Sequence, residues 1–336
     1  MGNTSASART ARIVRLLGPR QLVWDEETLP ASPPPDALLC RTVASAISPG
    51  TELSAYVGAR PLRDVQAYPR VQGYCNVAEV LAVGEGVRSH APGDSVLSFS
   101  SHRSHFVLMA ADALLTVPPT VPAGHAALTY LFHLGYNALL RTGVQAGHRV
   151  AVLGLGALGL GTVAVAALAG ADVLAVTSHE SARQLASSFG AAVVCDRGQA
   201  REREGWADVV VVTTNTWHDW QLALQLAAHR GTIAVLGFPG RETPPGEFNP
   251  LDSRYFYTKQ LRIEAVGLSP ERPDARGFAR FNERDNLAWL LGRIASGALP
   301  AAAMIAGTYP AEKIVDAYEA LLAQRQSPVT FVLEWA

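Results

Sequence analysis

Val150-Ala151-Val152-Leu153-Gly154-Leu155-Gly156-Ala157-Leu158-Gly159-Leu160-Gly161 decides the fold. An apolar run ends at a glycine, a second glycine follows, and small residues then open a helix. Gly154, Gly156 and Gly159 fit the spacing G-x-G-x-x-G. In that motif the first glycine makes the turn, the second admits a diphosphate to the backbone, and the third lets the helix lie on the strand. The helix start, at Ala157 and Leu158, offers N–H groups and a positive dipole end to an anion. Glycines also end strands for structural reasons alone, so the neighbouring sequence has to decide. Apolar strands are expected over 172–177, 192–195, 207–213 and 231–236, with helices over 181–189 and 217–228 between them. Such alternation of fully apolar strands with helices predicts a parallel sheet covered on both faces. The expectation is an α/β protein built on a dinucleotide-binding Rossmann unit.

The chain has 336 residues, of which 49% are hydrophobic and 17% charged. That length suits about two domains with large cores. A formal net charge of −1 gives no electrostatic case for nucleic acid or an acidic membrane surface. Cys40, Cys75 and Cys195 are too scattered for a disulfide framework or a zinc knuckle. Residues 1–6 carry no apolar secretory run. They approximate a myristoylation site, but Ala6 stands where Ser or Thr is required. A frayed tail on a soluble, cytoplasmic protein is expected, and the apolar helix near 162–169 is too short to span a bilayer.

Residues from about 11 to 117 are rich in short apolar runs, such as 78–83, 95–99 and 106–109, cut by Gly and Pro. Pro118, Pro119 and Pro122 close this β-rich part and open a long helix over 123–140. A Pro/Gly-rich loop is expected over 238–250, an aromatic helix around 254–257 and a sixth strand over 261–266. Helices over 284–296 and 311–324 and a strand over 329–333 then follow, read as a return to the first domain.

This layout resembles the medium-chain dehydrogenase/reductase superfamily over nearly the whole chain. Ile47-Ser48-Pro49-Gly50-Thr51-Glu52-Leu53 is similar to the loop that carries the first catalytic-zinc ligand in alcohol dehydrogenases. Gln72-Gly73-Tyr74 resembles their Gly-His-Glu loop, and Gly84-Glu85-Gly86-Val87, Pro92-Gly93-Asp94 and the stretch from Phe248 to Gly267 also agree. The resemblance implies a GroES-like catalytic domain from residues 1–128 and 268–336, and a Rossmann domain from 129–267. It also implies a homodimer joined through edge strands of the nucleotide domains, here 261–266.

The departures bear on mechanism. Catalytic zinc needs three protein ligands from Cys, His, Asp or Glu. At the corresponding positions this chain offers Ser48 or Pro49, then Tyr74, then Tyr130, and Cys75 stands where a supporting Glu is expected. No Cys occurs from Ser98 to Phe106, where the structural-zinc lobe would lie. Neutral hydroxyls and phenols are poor zinc ligands, so both zincs are expected to be absent. A metal rebuilt from His102, His105 and His133 is the alternative. Zinc-free quinone and enoyl reductases, and the bacteriochlorophyllide dehydrogenase branch, are the similar groups.

Without a Lewis acid, a carbonyl or conjugated alkene must be polarised and protonated by hydrogen bonds. Tyr74 is the first candidate for that work and Tyr130 the second, with Ser48 and Thr51 as a hydroxyl relay. Tyr56 and His133 are outer candidates for the substrate pocket. Equally, the tyrosines could be a hydrophobic wall, His133 a core histidine, and Glu52 a loop support paired with an Arg. For the cofactor, no carboxylate follows the second strand at Thr177, where NAD-specific sites carry one. Ser178, His179 and Arg183 suit the 2′-phosphate of NADP(H), although Ser178 could equally cap a helix. Thr213 and Gly237, at the ends of the 207–213 and 231–236 strands, complete the expected cofactor cradle. The expectation is a zinc-independent, NADPH-dependent reductase of a carbonyl or activated C=C in a small organic substrate, including a biosynthetic one. An NAD(P)-dependent alcohol or cyclitol dehydrogenase, and a nucleotide-binding protein without catalysis, are the alternatives.

Overall fold

The computed structural model describes residues 9–59, 68–240, 248–267, 280–323 and 329–336. The N-terminal tail and part of the 238–250 loop lie outside these. Six strands form one parallel sheet, in the spatial order Val193–Cys195, Asp172–Val176, Arg149–Leu153, Ala207–Val212, Ala227–Val235, Arg262–Ala265. Counted along the chain from Arg149–Leu153, this is the doubly wound order 3-2-1-4-5-6, whose crevice opens where the order reverses. The reversal falls at the C-terminal end of Arg149–Leu153, where the glycine turn begins. Val150, Ala151, Val152 and Leu153 are fully buried, as a strand covered on both faces requires.

The second large sheet has seven strands, ordered Ile305–Pro310, Thr330–Glu334, Ala37–Ala46, Cys75–Val83, Ser95–Ser98, Leu115–Thr116, with His105–Met109 also paired to Ala37–Ala46. The C-terminal strands therefore do enter the sheet of the front half. A hairpin of Arg9–Leu16 and Leu22–Leu29, extended by Arg70–Val71, makes a third, three-stranded sheet. One buried cluster unites the two large sheets: Cys75, Val77 and Leu97 pack with Leu128, Phe132, Val150, Leu160 and Leu290.

Two expectations need correction, and one element is new. The long helix over 123–140 is two pieces, Ala123–Ala126 and Thr129–Thr142. Leu128 N–H donates back only three residues, to His125 O, and the Thr129 hydroxyl donates to Ala126 O at 2.6 Å. A side-chain hydroxyl thus takes a carbonyl that a continuous helix would use. The aromatic stretch at 254–257 forms successive turns, not a helix. Its N–H groups reach back three, four and five residues in mixture, and Gln260 closes it with φ of 52°. A short helix, Arg197–Arg201, was not foreseen; Asp196 and Gln199 close a reciprocal capping box at its start.

Candidate active site

The glycine turn has the geometry its spacing demands. Gly154 adopts φ of +87°, and a Cβ on Gly159 would lie 1.9 Å from Gly154 O. Gly156 differs, since a Cβ there would meet nothing within 4 Å. The fold itself gives no reason for its small size, which fits a close approach by a ligand. Gly156 is also the N-cap of Ala157–Leu168 and has no side chain to satisfy the first-turn N–H groups. Thr213 Oγ1 ties the turn down, donating to Leu153 O and Gly154 O at 3.0 and 2.9 Å. Gly237 lies so close to Thr214 that a Cβ would sit 2.2 Å from Thr214 O. These residues can hold a dinucleotide across the crevice.

At the tip of the Asp172–Val176 strand, Thr177 Oγ1 accepts from His179 N, and Arg183 Nε donates to Thr177 O at 3.3 Å. The helix cap is His179, so Ser178 is free of the capping role its residue type allowed. Arg197, which sequence reasoning missed, reaches Ser178 Oγ with Nη1 at 3.4 Å. Buried Asp219 grips the rest of its guanidinium, at 2.5 Å from Nε and 2.9 Å from Nη2. Asp219 also accepts from the hydroxyls of Thr214 and Thr216. Burial would push its carboxyl up, but Arg197 and these hydroxyls outweigh it and hold the carboxyl below the ordinary carboxylate value. The available signal was the Asp196-x-x-Gln199 box, which places the next residue in the first turn of a helix.

On the other side, Pro49–Leu53 makes one wide π-type turn of the kind often found at functional sites. Tyr74 Oη donates to Ser48 Oγ at 2.5 Å and lies 3.5 Å from Thr51 Oγ1. Tyr130 meets Tyr74 edge-on at 5.6 Å between ring centroids, and Phe99 and His133 flank Tyr130 at 4.8 and 5.4 Å. Tyr74, Tyr130, Ser48, Thr51 and His133 thus come together in one neighbourhood. Burial holds the Tyr74 phenol well above its ordinary value, while the bonds to Ser48 and Thr51 favour its ionisation. Burial raises Tyr130 too, and it lowers His133 to about 4. Tyr56 is not brought here. Its hydroxyl donates to Glu319 at 2.8 Å, its ring packs on Tyr318, and burial with Glu319 pushes its phenol up to about 12.

The expected pairing of Glu52 with an arginine is overturned. Glu52 is 1% exposed, and its carboxylate accepts from Ser48 N at 2.7 Å, His102 Nε2 at 2.8 Å and Tyr318 Oη at 2.5 Å. The histidine alternative for a metal is also not assembled. His102 is bonded to Glu52 and Ser45, His105 to Ser104, and His133 sits in the aromatic cluster. Among the described residues no three His, Cys, Asp or Glu side chains gather as a metal site. Oxygen donors from Ser48, Tyr74 and Tyr130 do not fit a zinc ion. The three cysteines are buried and unpaired in disulfides.

This architecture, a doubly wound sheet with a glycine turn joined to an antiparallel sheet bearing polar loops, is of the dinucleotide-binding α/β class. A family model described as zinc-binding dehydrogenase matches residues 157–281. A quinone oxidoreductase of Mus musculus is 25% identical over 333 residues, covering 94% of each chain. A sorbitol dehydrogenase of Bacillus subtilis is 26% identical over 252 residues, 62% of this chain and 70% of that one. A crystal structure from Sinorhizobium meliloti, described as a zinc-binding dehydrogenase bound to NADP, superposes with a TM-score of 0.77 at 22% identity, covering 97% and 99% of the two chains. In sequence and fold the chain is similar to the medium-chain dehydrogenases and reductases, and these likenesses indicate an NAD(P)-dependent oxidoreductase.

Proposed function

We propose that the protein is a zinc-independent, NADPH-dependent reductase of a carbonyl or activated C=C in a small organic substrate. The observation that carries this reading is the Tyr74 hydroxyl bonded to Ser48 and facing Thr51, where the family's metal ligands would otherwise lie. A bound nicotinamide supplies the hydride. Tyr74 holds the proton that the substrate oxygen or α-carbon takes up. The resulting phenolate is stabilised by the Ser48 and Thr51 hydroxyls, and exposed Thr51 links it to water for reprotonation. Tyr130, itself backed by Phe99, packs edge-on against the Tyr74 ring and covers that side of it.

Ser178, His179, Arg183 and Arg197 support a preference for the 2′-phosphate, and no carboxylate follows the second strand at Thr177 or Ser178. The alcohol-oxidising direction is the second reading, favoured by the likeness to sorbitol dehydrogenase. A cytosolic homodimer joined through the exposed Arg262–Ala265 edge strand completes the proposal.

The test is NADPH oxidation with a panel of quinones, cyclic enones and ketones, and NADP+ reduction with polyols. Tyr74→Phe is expected to lower kcat on the order of a hundredfold or more, the range of general-acid catalysis. Unchanged turnover would reduce Tyr74 to packing. Metal analysis of protein prepared without added metal is expected to give no stoichiometric zinc; one zinc per chain would overturn the metal-free reading.

A further inference from the structure

Beneath the two loops that present Tyr74 and Ser48 lies a fully buried histidine, His102, to which the proposed chemistry assigns no part. Its backbone N–H donates to Gln72 O at 2.7 Å, holding the loop that leads into Tyr74. Gly73, at φ of +88°, lies flat on the imidazole; a Cβ there would be 2.7 Å from three ring atoms. On the other loop, Nε2 is 2.8 Å from Glu52 Oε2, and the second Glu52 oxygen holds the N–H of Ser48 at 2.7 Å. On the far side, Nδ1 is 2.8 Å from Ser45 Oγ, which itself accepts from Trp335 Nε1 at 2.9 Å.

Donor counting assigns the protons. The Glu52 carboxylate can only accept, so the ring proton is assigned to Nε2, which donates to Glu52 beside the Tyr318 hydroxyl on the same oxygen. Nδ1 of the neutral ring then accepts from the Ser45 hydroxyl, whose oxygen takes the Trp335 N–H. Every polar atom of the ring is used, and each bond ends on one of the elements that must be kept in register.

We propose that His102 is the positioning residue of the Tyr74–Ser48 hydroxyl pair. Its ring sets the height of Gly73 and hence of Tyr74. Its Nε2–H fixes Glu52, and through Glu52 the backbone of Ser48. The catalytic role of that pair rests on the proposed function above; the coupling of the two loops does not. A histidine 50 residues from Glu52 in sequence thereby controls a 2.5 Å contact it does not itself make.

The test uses full-length protein labelled at tyrosine 13Cζ, whose resonance reports the hydrogen bond of each phenol, with Tyr74 assigned by its loss in Tyr74→Phe. His102→Gln keeps a donor at the position of Nε2; His102→Asn reaches toward Ser45 but not Glu52; His102→Leu removes both. The expected result is a Tyr74 resonance near its original place in the Gln variant and displaced in the Asn and Leu variants. With an acceptor from the panel that turns over, kcat falls about tenfold or more in His102→Leu while the NADPH dissociation constant stays within about twofold, and Gln restores much of the loss. An unmoved Tyr74 resonance in folded His102→Leu overturns the proposal. If the Leu variant does not fold, equal resonances in the Asn and Gln variants overturn it. If Tyr74→Phe keeps full turnover while His102→Leu still displaces the resonance, the proton-donor reading fails and the positioning role stands.

Discussion

At the scale of single residues, the site is a place where burial works against ionisation. His133 is 2% exposed and its imidazole is lowered to about 4, against an ordinary value near 6.5. Below pH 6.5 the unfolded chain takes up a proton there that the folded chain refuses until about pH 4. Stability therefore falls as pH drops through that window and is fully present above it, a contribution of a few kcal/mol at most. Replacing His133 with Phe should flatten this part of the decline. The check is the Tm of the native protein minus that of His133→Phe, which should be smaller at pH 5 than at pH 7. Tyr74 and Tyr130 were legible as candidates because their residue types sit where metal ligands are expected. The partner of Glu52 was not legible. Nothing local to Glu52 announces a histidine 50 positions later, and an arginine was the ordinary guess for a buried carboxylate.

At the scale of elements, close backbone approach governs the nucleotide side. Gly159→Ala would force a methyl to 1.9 Å from Gly154 O, so the helix must move off the strand. The expected outcome is a folded protein whose NADPH affinity falls about tenfold or more, about 1.4 kcal/mol of binding, measured by fluorescence titration. Lys259 is a second structural device. Its Nζ donates to Leu224 O, Gln225 O and Ala227 O where the Trp217–Leu226 helix runs into the next strand. Those carbonyls are the ones a helix end leaves unsatisfied. Lys259→Met should cost roughly 1–3 kcal/mol and lower Tm by several degrees in calorimetry. The inner strands of the parallel sheet were readable because residues 150–153, 173–176 and 209–212 are apolar throughout and helical stretches separate them. The break at 127–128 was not, because Thr129 is an acceptable helix residue whose hydroxyl happens to reach Ala126 O. The turns at 251–260 escaped because the adjacent Tyr255, Phe256 and Tyr257 are acceptable helix residues, whereas the segment is held by Trp220, whose Nε1 donates to Pro250 O, and by Lys259.

At the scale of the molecule, the two large sheets share one buried cluster, in which Tyr74 and Tyr130 are partly embedded. Heating should therefore give one cooperative transition, with coincident loss of near-UV and far-UV dichroism. NADPH at a hundredfold excess over its dissociation constant should add about 2.7 kcal/mol to stability and raise that single Tm. Two separate transitions, of which only one responds to NADPH, would mean that the sheets melt independently. Among the described residues no helix is long and apolar enough to cross a membrane. The doubly wound order followed from sequence because strand–helix alternation leaves few topologies open. The pairing of residues 332–334 with residues 44–46 joins segments almost 290 positions apart, and the hint in the sequence was a strand left over after a completed Rossmann sheet.

That last pairing has a consequence for biogenesis. Thr330–Glu334 is an interior strand, flanked by Ile305–Pro310 and Ala37–Ala46, and Trp335 anchors Ser45 from beyond it. The parallel sheet, by contrast, uses only residues 149–265. During translation the nucleotide-binding half can close while the N-terminal half, though made first, still waits on the ribosome for its missing strand. A nascent chain halted before residue 330 would hold all six strands of the parallel sheet yet present an open antiparallel edge, the species most in need of a chaperone.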